Sequence, residues 1–135
     1  MPVALEIVSP EKLLLSRPVD MVVIPASEGE MGVLPGHSPM IVLLRGGTIR
    51  IYEGNQVTAR LYVAGGFAEV TPERCTVLAN EAVPVADVSR AEGEKRLQDA
   101  EAAYAATDKM DTAALDAAMD RAQSARAMIE AAEAA

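Results

Sequence analysis

The chemistry of this chain changes abruptly after Pro84. All 8 prolines and every glycine but Gly93 lie at or before that residue, and valine and isoleucine crowd the same segment. Beyond it only Val85, Val88 and Ile129 remain of the valines and isoleucines, and alanine dominates from residue 100 onward. β-branched side chains fit a pleated, half-buried surface, whereas alanine favours helix. The pattern predicts an α+β chain: a strand-built domain over residues 1–84, then a C-terminal two-helix antiparallel hairpin over residues 85–135, with the boundary within residues 80–87.

Within the first part, "VALEIV" alternates and stops at Ser9-Pro10. "VDMVVIPA" and "MIVLLRGG" flank a loop rich in Gly and Pro. "TIRIY" and "VTARLYV" are joined by "EGNQ", and "GGFAEV" and "RCTVLA" by "TPER", two hairpin signals. Alternation places Ile49 and Ile51 on one face and Arg50 and Tyr52 on the other. Short strands at this spacing close into a sandwich or a barrel.

The second part divides at "TDKMD". Asp87 is expected to cap the first helix, through "VSRAEGEKRLQDAEAAYAA", and Asp111 the second. Leu97, Ala100 and Tyr104 share one helical face; Leu115, Met119, Ala122 and Ile129 share another. These faces carry few large apolar groups. Burial contributes roughly 25 cal/mol per Å², so the expectation is a hairpin that packs lightly on the strand domain and can leave it.

Composition narrows the function. The formal charge of −8 disfavours nucleic acid, whose phosphates need Lys and Arg. No apolar run approaches the roughly 18 residues of a membrane span, and the N-terminus has no signal-peptide pattern, so no direct membrane insertion is expected. The lone Cys75, in a strand-like run, reads as a buried structural thiol in a reducing compartment. With 1 His and 1 Cys, no usual metal pattern is present, nor is a nucleophile elbow or a phosphate loop.

The segment "SEGEMGVLPGHSP", residues 27–39, is the densest in backbone punctuation. Glu28, Glu30 and His37 could act as general acid/base groups. Alternatively, its glycines and prolines give a shaped rather than floppy loop, whose glutamates meet a basic partner or simply stand in water. Residue chemistry disfavours the enzyme and leaves the last two alternatives open.

The ordered set "LEIVSPE", "EGEMGVLPGHSP", "GGTIRIYEG" and "YVAGGFAEVTPERCTVLAN", followed by the Ala-rich helical pair, resembles the epsilon subunits of the F-type ATP synthases. The resemblance spans nearly the whole chain. It implies a ten-stranded β-sandwich with a helical hairpin, no catalytic residue and no cofactor. It also implies a place in the central rotor: bound to the gamma subunit, seated on the c-subunit ring, and coupling proton-driven rotation to ATP synthesis. The loop matching residues 28–37 faces the c ring in the family, which makes Glu28, Glu30 and His37 ring contacts. The "AGGFAEV" region implies gamma contacts at Gly65, Gly66 and Phe67. The location implied is peripheral, on the cytoplasmic face of the bacterial inner membrane.

In the family the hairpin is regulatory, and when extended it reaches the alpha and beta catalytic subunits. Some relatives bind ATP as a regulatory ligand through a motif that "ADVSRA" matches in part, at Asp87, Arg90 and Ala91, with Ala86 in place of a larger aliphatic. Arg96 is out of register for that site, and Arg121 and Arg126, five apart, do not share a helical face well. Residues 85–135 carry eleven acidic side chains against six basic ones, so weak inhibition, or none, is expected. The alternatives are a free-standing small-molecule binding module, with ATP at Asp87 and Arg90, and a small enzyme using Glu28, Glu30 and His37. Gly46 stands where the family often has proline, which is expected to change only turn stiffness.

Overall fold

The computed structural model describes residues 2–134. Eight strands come first: β1 (Val3–Val8), β2 (Leu13–Val19), β3 (Met21–Ala26), β4 (Gly29–Val33), β5 (Met40–Glu53), β6 (Gln56–Val70), β7 (Arg74–Ala79) and β8 (Ala82–Pro84). A 3-10 turn, Val85–Asp87, leads to α1 (Arg90–Ala106) and α2 (Thr112–Ala134). The strand order is β2-β1-β7-β6-β5-β3-β4, with β8 on β6. Among the described residues only the β1–β7 pair is parallel.

Two long strands build the sandwich. β5 and β6 run antiparallel over 14 and 15 residues and pass through a corner. On one side of it Met40–Leu44 pairs with Gly66–Val70, and β7, β1 and β2 extend that layer. On the other side Gly46–Glu53 pairs with Gln56–Ala64, and β8, β3 and β4 extend the second layer. Cut at the corner, β5 and β6 would supply the two strands that separate the eight seen from the ten implied by the resemblance. Gly65 and Gly66, at φ of 96° and 117°, turn β6 through it. A Cβ on Gly66 would overlap the Leu78 carbonyl oxygen.

Alternating residues fill the space between the layers. Val3, Leu5 and Ile7 of β1, Cys75 and Val77 of β7, and Ile49 and Ile51 of β5 are buried in one aliphatic core. Ile49 and Ile51 thus point inward and Arg50 outward, as alternation requires. Cys75 is fully buried, and burial pushes its thiol up to about 11, which makes it a structural rather than a reactive sulfur.

Three strands escape simple alternation. β2 ("LLLSRPV") carries a proline and sits at the sheet edge, where a missing N–H costs nothing. β4 lies inside the punctuated loop: Ala26 pairs with Gly29, so residues 27–28 form a tight turn and the segment 29–33 returns along β3. β8 has three residues.

The helix starts divide likewise. Asp111 caps α2 as expected, its carboxylate accepting the Ala114 N–H at 3.1 Å. Asp87 does not cap α1. Ser89 does, accepting the Glu92 N–H at 3.1 Å, because Asp87 is held in the 3-10 turn. Ser89-Arg90-Ala91-Glu92 has the Ser-x-x-Glu spacing of a capping box.

α2 docks on the outer face of the second layer through a small second core of Tyr62, Val85, Ala127, Met128 and Ala131. The apolar contact is thin, as composition predicts, but polar anchors reinforce it. Tyr62 Oη donates to the Ser124 carbonyl at 2.8 Å. The Gly46 N–H donates to Gln123 Oε1 at 3.0 Å, and Gln123 Nε2 donates to the Gly46 carbonyl at 2.6 Å. Gly46 is required for this approach, since a Cβ there would stand 2.5 Å from Ser124 Cα. Glycine at this position therefore sets helix docking and not merely turn stiffness. Gly46→Ala is expected to lower stability by about 1–3 kcal/mol, the usual cost of overpacking, with faster proteolysis confined to α2. Denaturant unfolding and limited proteolysis read both effects.

Candidate functional site

Both layers have an outer face, and only one is covered. On the first layer the strand registers align Leu43 of β5, Phe67 of β6, Leu78 of β7, Val8 of β1 and Leu13 of β2 in one row across five strands. Of these, Leu13, Leu43, Phe67 and Leu78 are exposed, as is Ile41 two residues along β5 from Leu43. Ile41 and Leu43 are 72% and 68% exposed. Large apolar side chains scattered singly need no explanation, but a contiguous ridge marks a surface that binds something. Phe67 lies in the ridge; Gly65 and Gly66 shape the corner beside it.

The signal for this ridge was present in "MIVLL". A strand with one solvated face alternates, and this one does not: Val42 and Leu44 are buried while Ile41 and Leu43 face outward. A continuous apolar run reads equally well as a fully buried strand, so sequence alone does not separate the two.

The 27–28 turn meets the end of the ridge, where the Ser27 N–H donates to the Leu43 carbonyl at 2.8 Å. Glu28 and Glu30 line a cleft of about 470 Å³ with Met31, Met40, Ile41 and Leu43. Glu28 is exposed at the tip, and Glu30 pairs with Arg50 at 3.1 Å. His37 does not line that cleft. Its segment is tied to the β6–β7 turn by the Gly36 N–H, 2.7 Å from the Pro72 carbonyl. His37 Nδ1 is 2.8 Å from the Ser38 carbonyl oxygen, which can only accept, so Nδ1 carries the proton. The structure thus joins the two glutamates and leaves the histidine apart, with its ring engaged by backbone.

Asp87 and Arg90 are both exposed. Arg90 reaches Glu94 at 3.1 Å and Glu133 at 3.2 Å, tying the start of α1 to the end of α2. Neither residue lines the cleft between the helices and the sandwich, which is bordered by Tyr62, Arg96, Asp99, Asp120, Arg121 and Ser124. There Arg96 grips both oxygens of Glu81, at 2.5 and 3.0 Å, and Glu92 at 3.1 Å. The hydrogen bond to Glu81 is the main reason its pKa is raised. Arg96 is therefore a latch between α1 and the β7–β8 connection. Among the described residues no group of three or more His, Cys, Asp or Glu side chains is placed to hold a metal ion, and no helix is long and apolar enough to cross a membrane.

Residues 2–85 match the family described as the beta-sandwich domain of the ATP synthase Delta/Epsilon chain. A Granulibacter bethesdensis protein named "ATP synthase epsilon chain" is 75% identical over 129 residues, covering 96% of both chains. The chain belongs to the ATP synthase delta/epsilon family. A second relative, an "ATP synthase epsilon chain" from Gluconacetobacter diazotrophicus, is 49% identical over 132 residues, covering 98% of this chain and 94% of its own. The fold recurs in a chain of the Euglena gracilis mitochondrial ATP synthase, with a TM-score of 0.78 at 24% identity over 96% of this chain and 81% of that one. It recurs also in a chain of the Tetrahymena thermophila central stalk/c-ring structure, with a TM-score of 0.72 at 15% identity over 98% and 97%. Membership makes this an ATP synthase subunit of the epsilon type, with a β-sandwich followed by two helices.

Tyr62 links the sandwich to the hairpin and gives that link a pH dependence. Burial foremost, with Glu81 adding to it and Arg96 opposing, pushes its phenol up to about 12 from 10.0. Because the folded pKa lies above the unfolded one, the stabilisation is complete below pH 10 and is lost as pH rises through 12. Stability is expected to fall by about 2–3 kcal/mol across that window. Tyr62→Phe should remove this component while costing about 1 kcal/mol at neutral pH for the lost hydrogen bond. Denaturant melts along an alkaline titration, with phenolate absorbance as the second readout, test both.

Proposed function

We propose that this chain is a non-catalytic rotor subunit of the central stalk of an F-type ATP synthase. In this reading it binds the gamma subunit, sits on the c-subunit ring and couples proton-driven rotation to ATP synthesis. The observation that carries the reading is the bare apolar ridge Leu43–Phe67–Leu78–Val8–Leu13, next to an acidic turn on a rigid two-layer body. A ridge crossing five strands suits a long helical partner such as gamma. The exposed carboxylate of Glu28, with Glu30 beside it, suits polar ring loops that carry arginine. Glu30 is already paired with Arg50, so Glu28 is the freer contact, and His37 acts at the ring mainly by holding its loop in shape. The subunit is held peripherally at the cytoplasmic face of the bacterial inner membrane by these partners rather than by lipid.

The helical hairpin is the regulatory part of this reading, able to reach the alpha and beta subunits when extended. Its acidic balance favours weak inhibition of ATP hydrolysis. A nucleotide site at Asp87 and Arg90 is the less favoured reading, because Arg90 is engaged by Glu94 and Glu133.

Two experiments test the assignment. In calorimetry against the cognate gamma subunit, tight binding independent of ATP is expected. Leu43→Asp and Phe67→Asp should each weaken it by about 2 kcal/mol or more, roughly 30-fold, as expected of residues central to an interface. Glu28→Gln should leave gamma affinity intact and lower proton pumping per ATP hydrolysed in the assembled enzyme. Unchanged affinity of both ridge variants would remove the basis of the gamma assignment. In the second experiment, adding the chain to a matching complex that lacks it should restore coupling while suppressing hydrolysis only slightly. Strong suppression would overturn the claim of weak inhibition.

A further inference from the structure

The face that α2 covers holds a group of arginines that the fold does not neutralise. Cross-strand register sets Arg50 of β5 directly opposite Arg60 of β6. Both point away from the sandwich core, on the same face as Tyr62, whose hydroxyl meets α2. Like charges at facing positions of an antiparallel pair oppose sheet formation. Arg45 at the corner and Arg126 on α2 join them around a cleft of about 580 Å³, whose remaining charged side chains among the described residues are those of Glu30 and Glu130. Among the described residues four guanidinium groups therefore meet two side-chain carboxylates, in a chain whose formal charge is −8. Arg50 is paired with Glu30; among the described residues Arg45, Arg60 and Arg126 make no ion pair. Arg50 Nε is shut off from solvent without a hydrogen-bond partner, a costly state for a charged donor.

We propose that this cleft binds a phosphate-type oxyanion that bridges the sandwich and α2. Guanidinium presents paired N–H donors in a planar fork that matches phosphate oxygens, and such charge-assisted bonds are the strong ones. The anion relieves the repulsion between Arg50 and Arg60. Because Arg126 comes from α2 and the other three arginines from the sandwich, an occupied cleft ties the hairpin to the strands. A ligand that binds only the docked form stabilises it by mass action, so phosphate concentration sets how firmly the hairpin is held down. The cleft is distinct from the one bordered by Arg96 and Arg121.

The test uses the full chain at low ionic strength and neutral pH, titrated calorimetrically with inorganic phosphate against sodium chloride at matched ionic strength. Saturable binding at one site is expected, with a rise in melting temperature beyond that produced by chloride. Arg60→Gln should weaken phosphate by about tenfold, the loss of one charge-assisted hydrogen bond. It should also raise the stability of the unliganded chain, because the facing charges are gone, an effect that simple unfolding damage cannot mimic. Arg126→Gln should weaken phosphate similarly, while Arg121→Gln in the neighbouring cleft leaves it unchanged. A nucleoside triphosphate that displaces phosphate in an Arg60-dependent manner would identify the source as a phosphate ester; one that does not would leave the free ion. Phosphate acting no more strongly than chloride would overturn the proposal, as would wild-type affinity in Arg60→Gln and Arg126→Gln.

Discussion

The pairing of β5 with β6 is the contact on which the molecule is built. Each strand is long enough to belong to both layers, and the pair turns the corner together between Leu44–Gly46 and Ala64–Gly66. An ordinary side chain at Gly66 would collide with the backbone of β7, so the corner can close only where β6 lacks a Cβ. Once it is closed, every other strand has an edge to join: β7 and β8 on the two halves of β6, and β3 on β5. The parallel β1–β7 pair, which joins the first strand of the chain to the seventh, then completes the first layer.

The same corner gives the sandwich two outer faces with different fates. One carries Tyr62 and the arginines and is covered by α2; the other carries the apolar ridge and is bare. Their separation has a mechanical consequence. Helix docking leaves the ridge exposed, so contact at one face and docking at the other do not compete for the same surface. The body between them is a close-packed aliphatic core that resists deformation and transmits force between faces.

How much of this was legible in the sequence depended on how local each cause is. Alternation in "VALEIV" and "TIRIY", the turn residues of "EGNQ" and "TPER", and the change to alanine after Pro84 act over a few residues, and each gave the right element. β4 was hidden because its glycines read as loop, although they sit in a returning strand whose partner is β3. Asp87 and Ser89 are both good caps, and the choice between them was made by the 3-10 turn. The role of Gly46 depends on Ser124, 78 positions away, and no local pattern carries it. The acidic turn of the candidate site was visible, whereas the ridge needed the register of five strands before separate leucines became one surface.

The hold of the hairpin on the sandwich is of a particular kind. Fully burying a leucine or phenylalanine contributes roughly 1.5–3 kcal/mol, but the face of α2 toward the strands offers mainly Ala127, Met128 and Ala131. Its other anchors, Tyr62 to Ser124 and Gln123 to Gly46, are hydrogen bonds that water can replace on separation, so each adds only about 1 kcal/mol net. The ion pairs of Arg90 and Arg96 are partly solvated and add little more. Undocking therefore costs far less than opening the aliphatic core, and the two events are separable. Small contributions that depend on close approach also fail together: a displacement of α2 by the width of one methyl group loses the alanine contacts and both sets of hydrogen bonds at once. A helix held in this way is either seated or free, and a modest ligand or partner suffices to choose between the two states.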